Sequence, residues 1–143
     1  MPATRITERH VEVGGHTLRV REAGDPGGRP LVYFHGTPSC RLEPAFADRP
    51  AAELGVRLVS FDRPGYGESP PVRFSLGSVA RDTAVVADAL GIDRFATHGQ
   101  SDGGPFSGAG STSSSNSTGS DASDIFGFVT FTIECRITRS PIR

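Results

Sequence analysis

The sequence predicts an α/β fold: an N-terminal hairpin followed by a mainly parallel sheet with flanking helices. Three observations carry this expectation. A pair of glycines, Gly14 and Gly15, separates two short segments of strand character. Three apolar runs follow, at residues 31–34, 57–61 and 95–98. Between them lie stretches of helical character that close on Gly55 and Gly91. Apolar strands alternating with amphipathic helices imply right-handed crossovers and a sheet covered on both faces.

Taken in order, residues 10–13 and 16–22 read as two strands, because paired glycines supply the positive φ angles of a two-residue turn. Leu31, Val32, Tyr33 and Phe34 form a continuous apolar run, which suits a strand buried on both faces. A loop with Pro38 and Pro44 comes next, then a short helix over residues 50–54 that starts there or a few residues earlier. Gly55 stops it in a left-handed cap. Residues 57–61 form the next strand. Leu76, Val79, Ala80, Thr83, Val86, Ala87 and Leu90 recur at helical spacing and predict a helix of about four turns. Residues 95–98 form a short strand that runs into a glycine-bounded turn. In such sheets chemistry gathers at the carboxyl ends of the strands.

Past Phe106 the composition changes. Residues 107–123 contain only Ser, Gly, Thr, Ala, Asn and Asp, too little apolar surface to offset the entropy of ordering them. The sequence is therefore divided into a body at 1–106, a Ser/Gly-rich flexible linker at 107–124 and an atypical tail at 125–143. In the tail, Val129, Phe131, Ile133, Cys135 and Ile137 alternate with polar residues, the period of a half-buried strand whose partner is not evident.

A chain of 143 residues with 36% apolar content has room for one domain of ordinary size. Its 15 basic and 16 acidic residues leave a net charge of -1, which gives no electrostatic case for nucleic acid or an anionic membrane. Cys40 and Cys135 lack metal-like spacing and are expected to be free thiols. No apolar stretch reaches the length of a signal segment or spanning helix, so a cytoplasmic location is expected. The sequon Asn116-Ser117-Thr118 matters only in a secreted protein.

Three segments at strand ends carry chemistry. Gly99-Gln100-Ser101-Asp102-Gly103 fits a Gly-x-Ser-x-Gly elbow, in which a serine sits on a strained strand-to-helix turn. Gly104 and Pro105 follow where the first turn of a helix would lie, a position that tolerates proline. His35-Gly36-Thr37-Pro38 ends the first buried strand, and Asp62-Arg63-Pro64-Gly65-Tyr66-Gly67-Glu68-Ser69 follows the next.

With these three motifs in this order, residues 8–106 resemble the N-terminal portion of the α/β-hydrolase superfamily, of the type with a serine nucleophile. The resemblance implies a partial α/β-hydrolase fold, truncated after the nucleophile elbow. It implies Ser101 as nucleophile and the backbone N–H groups of Thr37 and Asp102 as the oxyanion hole. His35, Gly36, Pro38, Asp62, Gly65, Gly67, Ser69, Gly99 and Gly103 would then shape the loops, with His35 ordering its loop rather than acting as base. No metal or cofactor is implied. Relatives of this fold that open epoxides or displace halide use an aspartate nucleophile; here the glycine register presents Ser101, and Asp102 lies one position off.

A serine hydroxyl needs an adjacent base, usually a histidine oriented by a carboxylate. In this superfamily the acid and then the histidine follow the serine in the chain. Asp121, Asp124 and Glu134 are available as acids, but no histidine follows Ser101. His98 is expected to pack beneath the site, and the later strands and the helix after the elbow are expected to be missing. Two readings of different class stay open. One is an enzyme acting on a small ester, amide or peptide substrate, its acid and histidine supplied from elsewhere. The other is a non-catalytic truncated or frameshifted fragment that at most binds a small ligand or pairs through the sheet edge left beside its last parallel strand.

Overall fold

A computed structural model describes residues 4–107, 121–125 and 128–136. β1 (Thr7–Val13) and β2 (His16–Gly24) form the hairpin, with Gly14 and Gly15 at φ 49° and 89° in its turn. β3 (Arg29–Phe34) leads into a 3-10 turn over Glu43–Ala47 and then α1 (Asp48–Glu53). β4 (Val56–Phe61), α2 (Leu76–Ala89) and β5 (Arg94–Gly99) follow. Gly55 holds φ 66° behind α1, the left-handed stop its position predicts.

Beyond the body lie β6 (Asp121–Ile125) and β7 (Phe128–Arg136). β7 matches the alternating stretch at 129–137 in all but its last residue, which lies outside the described residues. β6 begins inside the stretch read as linker; the rest of that stretch, sequon included, is also outside them, apart from Ser107.

Among the described residues the seven strands follow the order β1-β2-β4-β3-β5-β7-β6. Parallel pairing is confined to the centre, where β3 lies between β4 and β5. The flanking pairs are antiparallel, because the hairpin folds directly back on itself and β2 also runs against β4. The outer edge of β5, expected to be unpaired, is covered by β7 in an antiparallel ladder from Arg94↔Arg136 to Thr97↔Ile133.

The two faces of the sheet carry cores of different size. Val11, Val13, Leu18, Val20, Val32, Phe34, Val59 and Phe61 pack with Val79, Val86 and Ala87 of α2. On the other face Tyr33 and Leu58 meet Ala51 of α1. α1 is additionally fixed by Arg21 of β2, almost fully buried, whose guanidinium pairs in fork geometry with Asp48 in the first turn. Among the described residues no helix is long and apolar enough to cross a membrane.

Candidate active site

The carboxyl ends of β3, β4 and β5 bring the three sequence motifs together. At the end of β5 the backbone turns sharply: Gln100 is extended and Ser101 has φ 50°. Among the described residues Ser101 is the one non-glycine in the left-handed region, a conformation that costs roughly 1–2 kcal/mol. A 3-10 turn over Ser101–Gly103 continues into helical residues 104–107, the first turn in which Gly104 and Pro105 were expected, although the helix after the elbow was expected to be missing. The Gln100 N–H donates to Phe34 O at 3.1 Å and the Gly103 N–H to Gln100 O at 2.8 Å.

This turn is packed so tightly, against β3 at Gly103 and against its own backbone at Gly99, that its glycines have no alternative. A Cβ on Gly103 would lie 2.1 Å from Phe34 O, and one on Gly99 would lie 2.5 Å from Gly103 O. Gly36 has the elbow on one side: a Cβ there would be 3.4 Å from Ser101 Cβ and 3.2 Å from Gln100 O. Ser101 itself is exposed, as are Thr37, Pro38 and Asp102.

Hydrogen bonds order the loop after β3 almost completely. His35 is fully buried; its Nδ1 lies 2.6 Å from Gly36 O and its Nε2 accepts the Arg63 N–H at 3.2 Å. That second contact assigns the proton to Nδ1. Burial holds the His35 pKa below the usual histidine value, so the ring is a neutral loop anchor. The Gly36 N–H donates to Glu43 Oε2 at 2.9 Å. By contrast, neither the Thr37 nor the Asp102 N–H has an acceptor among the described residues. Backbone donors rarely stay unpaired without solvent or a ligand in front of them.

The loop after β4 is built around Asp62, which is fully buried. Its carboxylate accepts the Arg41 N–H at 2.6 Å, Arg41 Nη1 at 2.8 Å and the Glu68 N–H at 2.8 Å. Ser69 Oγ donates to Asp62 O at 2.6 Å and accepts the Arg19 N–H at 3.0 Å, joining the loop to β2. Gly65 and Gly67 hold φ 84° and 52°, and a Cβ on Gly67 would overlap the Asp62 carboxylate.

Arg63 is a participant whose role the motif does not disclose. Its side chain is fully buried and its guanidinium lies 4.4 Å from the Phe106 ring centroid and 5.3 Å from that of Tyr66. It donates to His35 O and, at 3.3 Å, to Thr37 Oγ1, while its Nε has no partner. Desolvation lowers its pKa. Glu43 was also missed: it lies outside the three motifs, and its contact with Gly36 and its charge near His35 and Arg63 tie it to the site.

No histidine reaches Ser101 among the described residues. His10 is exposed on β1, and His16 Nε2 lies 3.1 Å from Asp82 Oδ2 at the hairpin. His35 is engaged at both nitrogens, and His98 stacks on Tyr33 with centroids 5.2 Å apart. Cys40 is a free thiol. Among the described residues no three or more His, Cys, Asp or Glu side chains are arranged to hold a metal ion.

Residues 29–109 match the family described as alpha/beta hydrolase fold, more than half of the chain. The chain belongs to this family. One curated relative is the dihydrolipoyllysine-residue acetyltransferase component of the acetoin cleaving system of Pseudomonas putida. It is 36% identical over 98 residues, which is 67% of this chain and 26% of that protein. Epoxide hydrolase A of Mycobacterium tuberculosis is 29% identical over 92 residues, 62% of this chain and 29% of its own length. Among solved structures, a proline iminopeptidase-related protein of Thermus thermophilus superposes with a TM-score of 0.62 at 28% identity, covering 72% of this chain and 39% of that one. The chain thus spans between a quarter and a third of the length of these two curated relatives.

Proposed function

We propose that this alpha/beta hydrolase chain carries the nucleophile and oxyanion site for hydrolysis of an ester, amide or peptide bond in a small acyl substrate. The observation that supports it most is the left-handed Ser101 between two glycines that tolerate no side chain. In this reading Ser101 Oγ attacks the acyl carbonyl carbon, its proton passes to a histidine base, and the carbonyl oxygen becomes an oxyanion facing the Thr37 and Asp102 N–H groups. Collapse expels the alcohol or amine, which takes that proton, and water then releases the acid from the acyl-serine. Each preorganised donor contributes about 3 kcal/mol of barrier lowering. No step requires a metal or cofactor. The base and its carboxylate would have to come from a complementary segment.

The relatives include an epoxide hydrolase, and an aspartate nucleophile would suit that chemistry. The register opposes it: Ser101 holds the strained position, and Asp102 lies one residue into the turn. A second reading, a non-catalytic fragment that binds or pairs, is favoured by the lack of any histidine hydrogen-bonded to Ser101 among the described residues: His35 is engaged at both nitrogens and His98 stacks on Tyr33.

A serine-directed fluorophosphonate probe, applied to the purified chain and to Ser101→Ala, decides between them. Labelling that disappears in the variant supports the enzyme. A chain with the circular dichroism of a folded protein and no labelling would leave the non-catalytic reading for this chain alone.

A further inference from the structure

At the amino end of β4, away from Ser101, a cavity of about 220 Å³ is lined by Arg5, Thr7, Arg9, Glu22 and Arg57, among others. β4 runs from this cavity to Phe61 beside the Asp62 loop, so the two sites are separated by about 13 Å of strand. The strand pattern explains how it forms. Residues 7 and 9 lie on the same sheet face as Val11 and Val13, Glu22 on that of Leu18 and Val20, and Arg57 on that of Val59 and Phe61, with Arg5 just ahead of β1. α2 covers the apolar part of this face and ends at Ala89. Where the helix ends the valines give way to charged side chains, and a polar recess is left.

Two guanidiniums, of Arg9 and Arg57, meet one carboxylate there, and Arg5 lines the same recess. Glu22 takes Arg9 Nη2 at 3.0 Å and Arg57 Nη2 at 2.6 Å, and Arg57 is held further by Leu90 O at 3.1 Å. Arg57 is thereby fixed in one orientation without using all its donors. Arg9 keeps donors to spare, and Arg5 makes no hydrogen bond or ion pair with any described residue. A surplus of two positive charges in a concave, half-open recess, with one arginine prealigned, is the arrangement that recognises a tetrahedral oxyanion.

We propose that this cavity is an anion-binding site for a phosphoryl group, carried by Arg5, Arg9 and Arg57 with Glu22 as their positioning carboxylate. The volume admits the phosphoryl group and a small attached body. Free phosphate and a phosphomonoester share this chemistry.

The test is a titration of the ¹⁵N-labelled full chain with inorganic phosphate and, separately, phenyl phosphate, at ionic strength held constant with sodium chloride. Saturable shifts of the Thr7 and Ala23 amides are expected. Arg5→Ala, at an exposed residue unpaired among the described ones, should weaken binding about three-fold, the size of one exposed ion contact. Glu22→Gln removes the competing charge while its amide oxygen and Leu90 O still hold Arg57, and should tighten it by a similar factor. Arg73→Ala, an equal change of charge on an exposed loop, should leave it unaltered. Tighter binding of phenyl phosphate than of phosphate would identify a phosphomonoester as the better ligand, and the reverse would identify the free ion. Shifts that fail to saturate, or an equal effect of Arg5→Ala and Arg73→Ala, would overturn the proposal.

Discussion

Gly103 has no room for a methyl group. A Cβ there would meet two main-chain oxygens, of Phe34 at 2.1 Å and His35 at 2.9 Å, neither of which can swing aside. Gly103→Ala is expected to lower unfolding free energy by about 2–4 kcal/mol in urea titration. Gly91→Ala, with φ 69° but open space around it, should cost about 1 kcal/mol. Asp62 is sensitive for a different reason. Asp62→Ala would leave two backbone N–H groups and Arg41 Nη1 without their acceptor, while Glu8 and Glu68 still hold the rest of the guanidinium, a loss of about 2–4 kcal/mol measured the same way. The motifs made these positions legible in the sequence. Their physical cause was not legible, because Phe34 O and Arg41 enter only through the packing of separate segments. Arg63 shows the limit more sharply: a charged residue in a turn reads as solvated, and only the folded rings of Tyr66 and Phe106 reveal where it goes.

α2 begins on a capping box in which Ser75 Oγ accepts the Ser78 N–H at 3.1 Å and Ser78 Oγ accepts the Ser75 N–H at 2.8 Å. Ser75→Ala should therefore lower the urea midpoint by the equivalent of about 1 kcal/mol, and Ser75→Gly by only a fraction of that. The periodicity of α2 gave most of its buried face in advance, Val79, Ala80, Thr83, Val86 and Ala87. It missed Asp82, buried on the same face, because the partner that makes this tolerable, His16, lies in the hairpin. Leu76, counted as part of the apolar stripe, is in fact 46% exposed, since it sits at the helix start beyond the sheet. β6 had no signature at all: Asp-Ala-Ser-Asp-Ile lacks alternation, and its strand state comes from pairing with β7. Local pattern reports an element only where the element buries one of its own faces.

For the molecule as a whole, acid is the informative stress. Burial lowers the pKa of both His35 and His98 from the ordinary 6.5. The unfolded chain then binds more protons than the folded one as pH falls below 6.5, so stability is full above that value and declines below it. Thermal unfolding followed by circular dichroism from pH 7.5 to 5 should show a falling midpoint, and His98→Asn should reduce the slope. The α/β class, the element order and the grouping of three motifs at one end of the sheet were legible because they depend on patterns along the chain. The mixed character of the sheet was not, since pairing direction at its margins depends on which strands arrive next to one another. The antiparallel β7 on the outer rail of β5 has a further consequence for assembly. Any strand from another segment that would extend the sheet on that side meets an occupied ladder, Arg94 to Thr97, and must first evict the resident strand. Complementation is thereby turned from simple docking into a competition between an intramolecular tenant and an intermolecular newcomer. Its outcome is governed by local concentration and its pace by the resident's departure.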